Sequence, residues 1–224
     1  MKKLLVVVCT QRSKDESGFL LAKSSLDLLK HEVVLKIHYE NKTPLPVIYN
    51  QYISNKWSKK HDIVLFVHDD VYIDDLKLRG KLYGAIKQFD IIGLAGCINP
   101  TLKAPVLWHL MSPKTDHRGY VAHAEPEDPN IVNMVSYGHT PSRVAIADGL
   151  FLAVNIKSAL KAEWKFNENF SFHHYDISSC IDANRKRLKI GVIPVNVIHA
   201  SRGLENYNDP TFQSSQDKFL EIYS

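Results

Sequence analysis

The chain has 224 residues, 45% of them hydrophobic and 23% charged, and its 28 basic against 24 acidic side chains leave a formal charge of only +4. These are globular values for a chain long enough to bury a substantial core. They exclude a disordered tract and a strongly basic nucleic-acid binder, since the cluster Arg185-Lys186-Arg187 with Lys189 is short and lacks an aromatic platform.

In chain order, Leu4–Cys9 is a continuous apolar run, the pattern of a strand buried on both faces. The run is too short for a secretory core or a membrane span despite the Met1-Lys2-Lys3 start. Cys9, Cys97 and Cys180 are too widely spaced for a disulfide framework or a zinc ribbon and favour a reducing compartment. The expectation is a cytoplasmic protein with no transmembrane segment, at most peripheral to the inner membrane face. Phe19, Leu20, Ala22, Leu26 and Leu29 recur at helical spacing, and Val33–Tyr39 is β-rich. Pro46 sits in the first turn of a second helical pattern through Ile48, Tyr49, Tyr52, Ile53 and Trp57. Ile63–Val67 is the next strand. Asp74 or Asp75 can cap a helix carrying Leu78, Leu82, Ile86 and Phe89, and Ile91–Ala95 is a further strand. This alternation predicts an α/β fold with a mainly parallel central sheet flanked by helices, with ligands beyond the carboxyl ends of the strands.

The stretch 99–143 is rich in Pro, His, Asp and Gly and shows one β-like run, Ile131–Tyr137, as in a functional loop or an inserted hairpin. Val144–Ala147 and Leu150–Val154 are short β-like runs split by Asp148-Gly149. Helical spacing returns over Tyr175–Leu188, Lys189–Val195 and Val197–His199 are strands, and Pro210–Tyr223 is a terminal helix. No repeat or linker interrupts the chain. It reads as one domain: a nucleotide-binding half at 1–98, an acceptor and catalytic half at 99–203, and a tail helix at 204–224.

Four places carry chemistry. His68-Asp69-Asp70 ends a strand, where two aspartates are either a solvated turn or ligands for a hard cation. Asp148-Gly149 is a hairpin signal, yet the apolar residues after it imply burial, where a carboxylate needs a partner or a task. Asp176 closes Phe172-His-His-Tyr-Asp at a helix start, as a cap or a held general base. His199 ends an apolar strand and is followed by Arg202-Gly203, which suits metal or diphosphate contact. There is no glycine-rich phosphate loop, no GxSxG elbow and no CxxC pair, which removes P-loop enzymes, α/β-hydrolases and zinc ribbons. The lack of a glycine-rich loop after the first strand also argues against a nucleotidyltransferase.

In this order the motifs resemble the GT-A glycosyltransferases of family 2. The carrying residues are Leu-Val-Val-Val-Cys-Thr10, Tyr49-Asn50, Asp62-Ile-Val-Leu-Phe-Val-His-Asp-Asp-Val71 and Ile91-Ile-Gly-Leu-Ala-Gly96. Ile146-Ala-Asp-Gly-Leu-Phe-Leu-Ala153, Phe166 to Asp176 and Ile190 to His199 complete the set, over about residues 2–203. The nearest likeness is to the bacterial glycosyltransferase-like subgroup with streptomycin-biosynthesis-type domains. The resemblance implies a GT-A nucleotide-diphospho-sugar transferase fold and a metal-dependent, inverting, hexosyltransferase-like enzyme. The donor would be a nucleotide-sugar, UDP-sugar by default, and the acceptor a glycan or other hydroxyl in bacterial glycan or polysaccharide synthesis. A catalytically silent sugar-nucleotide or partner-binding domain is the alternative. By the same resemblance Asp70 and His199 hold Mn2+ or Mg2+, and Asp176 is the base with Asp148 close to donor and acceptor. Thr10, Arg12, Asn50, Asp69 and Arg202 contact substrate. His68 stands where the family's pattern has its first aspartate.

Overall fold

A computed structural model describes residues 2–101, 103, 107–125, 128, 131–200 and 208–223. In the first half the chain forms β1 (Leu4–Cys9), a 3₁₀ turn (Lys14–Phe19), α1 (Leu21–Asp27), β2 (Val33–His38), α2 (Leu45–Asn50) and α3 (Asn55–Ser58). It continues through β3 (Ile63–Val67), β4 (Val71–Ile73), α4 (Leu78–Ala85), β5 (Ile91–Gly93) and β6 (Ala95–Cys97). The second half gives α5 (Trp108–Met111), β7 (His117–Ala124), β8 (Val132–Gly138), β9 (Ser142–Val144), β10 (Ile146–Ala147) and β11 (Phe151–Asn155). It ends with α6 (Ile156–Lys161), α7 (Tyr175–Arg185), β12 (Ile190–Val192), β13 (Val197–His199) and α8 (Pro210–Tyr223).

Among the described residues the strands make two sheets. The first has the order β2-β1-β3-β11-β5-β12-β9, and the second β10-β6-β7-β13-β4 with β8 on the outside of β7. Strands β1 and β3 are both interior strands of the first sheet and every residue of β3 is buried, as the unbroken apolar runs require. Each such Leu, Ile, Val or Phe contributes about 1.5–3 kcal/mol by leaving water.

The first sheet is mixed, not mainly parallel. β1 runs parallel to β2 and β3, and β12 to β5, but β11 is antiparallel to both β3 and β5, and β9 to β12. The reason lies in how the chain passes between the sheets. β3 leads to β4 through 68–70, β5 to β6 through Leu94, and β12 to β13 through 193–196, so all three leave the first sheet at the same end. β11 instead enters from β10 through 148–150, and so runs the other way between β3 and β5, with Phe151 opposite Val67 and Asn155 opposite Ile63. Apolar periodicity reports burial on two faces and carries no information on direction.

The crossings form a seam and bond to one another. His68 N–H donates to Leu150 O at 3.0 Å, Asp148 N–H to Ala95 O at 3.0 Å, and Ile193 N–H to Gly93 O at 3.2 Å. The seam is tight: a Cβ on Gly96 would collide with the carbonyl of Ile146. Asp148-Gly149 is therefore a passage between two sheets and not a hairpin. The irregular stretch contains β7, paired with β8 over Gly119–Ala124 in a hairpin that periodicity placed only in part. Asp75 does not cap α4 directly, because Lys77 is the N-cap residue. The Asp75 carboxylate accepts from the backbone N–H of Lys77 and Asn196 and pairs with Lys81, pinning the helix entry to the chain before β13.

Candidate active site

The adjacent parallel strands β1 and β3 end side by side, and the chain leaving them borders a cleft of about 610 Å³. Thr10, Arg12, Asn41, Pro44, Asp69 and Phe172 are among its walls. The wall after β1 is fixed by its own backbone: Thr10 N–H donates to His38 O, Asn41 N–H to Thr10 O, and Thr10 Oγ1 accepts from Arg12 N–H. The Asn41 side chain closes on Thr43 through both its oxygen and its nitrogen, setting the chain before Pro44.

The two neighbouring aspartates face different ways. Asp69 borders the cleft, whereas Asp70 joins His68 and His199, and each of these three presents one ligand atom within 4.8 Å of the others. Strand pairing builds the group. β13 runs antiparallel to β4 with His199 opposite Val71, and Ala200 N–H donates to Asp70 O, which sets His199 Nε2 3.4 Å from Asp70 Oδ2. Burial opposes charge on the His199 imidazole, but the Asp70 carboxylate outweighs it and the ring is held above its ordinary pKa. Burial likewise opposes charge on Asp70, yet His199 and His68 keep its carboxyl below the ordinary range. Burial pushes the His68 ring the other way, below its usual value.

Among the described residues, Asp70 Oδ1 and His199 Nδ1 are buried without a hydrogen-bond partner. Buried polar atoms are normally satisfied, and a divalent cation supplies what these two lack. A carboxylate and two imidazoles suit Mn2+ well and Mg2+ less well. The residues present therefore fit a resident cation. His68 was the one position of the strand end that departed from the pattern, and the structure brings it into the cluster. The signal was the His-x-Asp spacing itself, which puts two ligating side chains on the same short turn.

Across the seam stands Asp176, in the first turn of α7. Its Oδ2 accepts from Gly149 N–H at 2.8 Å and its Oδ1 from Ile177 N–H at 2.8 Å. Burial first, and the nearby Asp148 carboxylate second, push its pKa up to about 7, despite the two backbone donors. Asp148 is half-buried, and its Oδ1 accepts from Leu150 N–H. Tyr175 connects the two sides: its hydroxyl donates to Gly149 O at 2.9 Å and lies 3.3 Å from His68 Nε2. Phe172 stacks on the His68 ring at 5.9 Å and is 57% exposed at the cleft mouth. Neither aromatic contact was readable from spacing.

Asn50 is not brought to this site. Its carboxamide accepts from Phe166 N–H and donates to Phe166 O and Glu168 Oε1, fastening α2 to the chain ahead of α7. A side chain so engaged has little left for a substrate. Arg202 lies outside the described residues. His123, in the stretch without clear periodicity, has its ring 5.5 Å from that of His199, because β7 and β13 pair them directly.

Two sheets sharing a seam, with a cleft at the ends of β1 and β3, define the GT-A architecture. The chain belongs to the glycosyltransferase-like family, whose model matches residues 5–223. No curated protein matches it. Among solved structures, A197 from STIV is similar at TM-score 0.55 and 12% identity, over 89% of this chain and 86% of that one. GalNAc-T7 in complex with UDP, GalNAc and Mn2+ is similar at TM-score 0.56 and 8% identity. That alignment covers 99% of this chain but 48% of GalNAc-T7, so the chain spans about half of that protein's length. No helix among the described residues is long and apolar enough to cross a membrane.

Proposed function

We propose that the chain is a metal-dependent, inverting glycosyltransferase that moves a hexosyl group from a nucleotide-sugar, UDP-sugar by default, to a hydroxyl acceptor in glycan synthesis. The observation that carries this reading is the facing pair of a cation-ready cluster, with two unsatisfied buried atoms, and a buried carboxylate tuned to about pKa 7. GalNAc-T7 with its UDP and Mn2+ supports the donor and the metal as the default choice.

In this reading the nucleoside lies in the cleft against Thr10, Arg12 and Asp69. His68, Asp70 and His199 would hold Mn2+ or Mg2+, which supplies positive charge for the diphosphate leaving group. Asp176 takes the proton from the acceptor hydroxyl as that oxygen attacks the anomeric carbon from the side opposite the departing diphosphate, giving inversion. A carboxylate with a pKa near working pH is a stronger base than an ordinary one and is still ionised often enough to act. Asp148, beside Asp176, holds that pKa up and borders the space where sugar and acceptor meet. Gly149 makes the close approach possible, since a Cβ there would lie 2.5 Å from the Tyr175 hydroxyl.

A thermal-shift panel of nucleoside diphosphates and UDP-sugars, with and without Mn2+, tests binding, and product analysis tests transfer. Stabilisation that needs both nucleotide and Mn2+, with transfer lost in Asp176→Asn, is the expected result. Stabilisation with no transfer to any hydroxyl acceptor would leave a silent sugar-nucleotide-binding domain instead.

A further inference from the structure

Helix α8 reaches across the molecule to the residue that starts the helix bearing Asp176. That residue, His174, has φ 63° and ψ 0°, a left-handed conformation uncommon for a non-glycine residue. Its ring is 1% exposed, with the rings of Phe212 and Phe219 of α8 at 5.2 and 5.5 Å. Both ring nitrogens meet α8 as well: Nδ1 is 2.9 Å from Ser215 Oγ, and Nε2 is 2.7 Å from Gln216 Oε1.

The partners are themselves oriented. Gln216 Nε2 donates to Lys103 O at 2.8 Å, which turns its oxygen toward His174 Nε2–H. Burial holds the ring neutral, with its pKa lowered to about 4, so Nδ1 accepts from the Ser215 hydroxyl, whose oxygen also lies 3.0 Å from His173 O. Helix α8, and through Gln216 the chain at Lys103, thus converge on one histidine. The next two residues are Tyr175 and Asp176, whose side chains bond the carbonyl and the N–H of Gly149 respectively. A rotation at His174 would move both at once.

Covering the core needs only Phe212, Phe219 and Tyr223, all buried. The polar contacts do something else. We propose that Ser215 and Gln216 are positioning residues for the Asp176 carboxylate, acting through His174, so that α8 is a clamp on the active site. This rests on the reading of Asp176 as the base.

Two measurements on the full chain test the clamp. Hydrogen exchange at the Gly149 and Ile177 amides, the two donors to Asp176, reports its seating whether or not sugar is transferred. Gln216→Leu should speed exchange at both amides, ahead of the later turns of α7, and Gln216→Glu, which keeps an acceptor for His174 but loses the donor to Lys103 O, should restore it in part. In transfer assays Gln216→Leu should lower kcat roughly tenfold, as expected for a displaced catalytic group, with KM for the nucleotide-sugar unchanged to within about twofold. Unchanged exchange at Gly149 and Ile177 in Gln216→Leu overturns the proposal. So does a parallel loss of kcat, donor affinity and melting temperature that Gln216→Glu fails to rescue, because that is simple loss of support. If the wild-type chain transfers no sugar, the functional reading fails, and the exchange result alone decides the clamp.

Discussion

Replacing Asp176 by asparagine separates two properties that the structure ties together. In the folded chain the carboxyl titrates near pH 7 and in the unfolded chain near its ordinary 3.8, because burial and Asp148 disfavour the charge. The folded state therefore holds the proton more tightly. Its stability is highest below the unfolded value and declines as pH rises from about 4 to 7, by about 4 kcal/mol in all at 1.36 kcal/mol per pH unit. Asparagine has no such titration. It does lose one acceptor, since both carboxylate oxygens receive a backbone N–H and an amide nitrogen must face one of them. That mismatch costs about 1–3 kcal/mol at every pH. Urea unfolding should find Asp176→Asn less stable than wild type at pH 4 and as stable or more stable at pH 8. Transfer should show the complementary pattern. With a pKa of about 7, the ionised fraction rises roughly tenfold between pH 6 and pH 8, so wild-type kcat/KM climbs through that window. Asp148→Asn, which removes the second cause, should move the midpoint of that climb to lower pH. If the two proteins lose stability with the same slope, or the rate is flat from pH 6 to 8, Asp176 is not the tuned base.

Other substitutions have equally definite expectations. Ala at His68, Asp70 or His199 should abolish stabilisation by Mn2+, which for wild type at a hundredfold excess over Kd is about 2.7 kcal/mol in thermal shift; retained Mn2+ stabilisation in all three would place the cation elsewhere. Asn50→Ala removes three hydrogen bonds between α2 and the 166–168 segment. It should lower stability by about 2–3 kcal/mol with KM for the nucleotide-sugar unchanged, and a raised KM without destabilisation would restore Asn50 to the substrate. Gly149→Ala inserts a methyl group 2.5 Å from the Tyr175 hydroxyl and 3.0 Å from Asp176 Cβ. It should cost about 1–3 kcal/mol of stability and nearly all transfer, and full activity in that variant would refute the close approach.

What could be read from the sequence was whatever burial writes into periodicity. The runs at β1 and β3 announced central strands, and Pro210–Tyr223 marked α8 to the residue. Direction was hidden, because β11 is as apolar as its parallel neighbours would be. β7, His-Arg-Gly-Tyr-Val-Ala-His-Ala, mixes small and polar residues because one part pairs with β6 and another with β13, so neither face is uniformly dry. At the site, Asp70, Asp148, Asp176 and His199 were recognisable by type and order. The surroundings of His68 and His174 were not, since each is set by partners far along the chain: Tyr175 and His199 for one, Ser215 and Gln216 for the other. Asn50 shows the converse, a residue of the right chemistry whose neighbours claim it.

The seam has a mechanical meaning. A pair of sheets joined by one covalent strand can swing about that strand, as hinged domains do. Here, among the described residues, the chain crosses repeatedly, and neighbouring crossings are bonded laterally through backbone amides. Swinging one sheet against the other would have to break those bonds together. The two sheets are thereby tied into a single stiff plate, and His68, Asp70 and Asp148, which sit on the crossings themselves, are held at fixed separations. Any opening and closing of this protein must be carried by segments attached to the plate's rim.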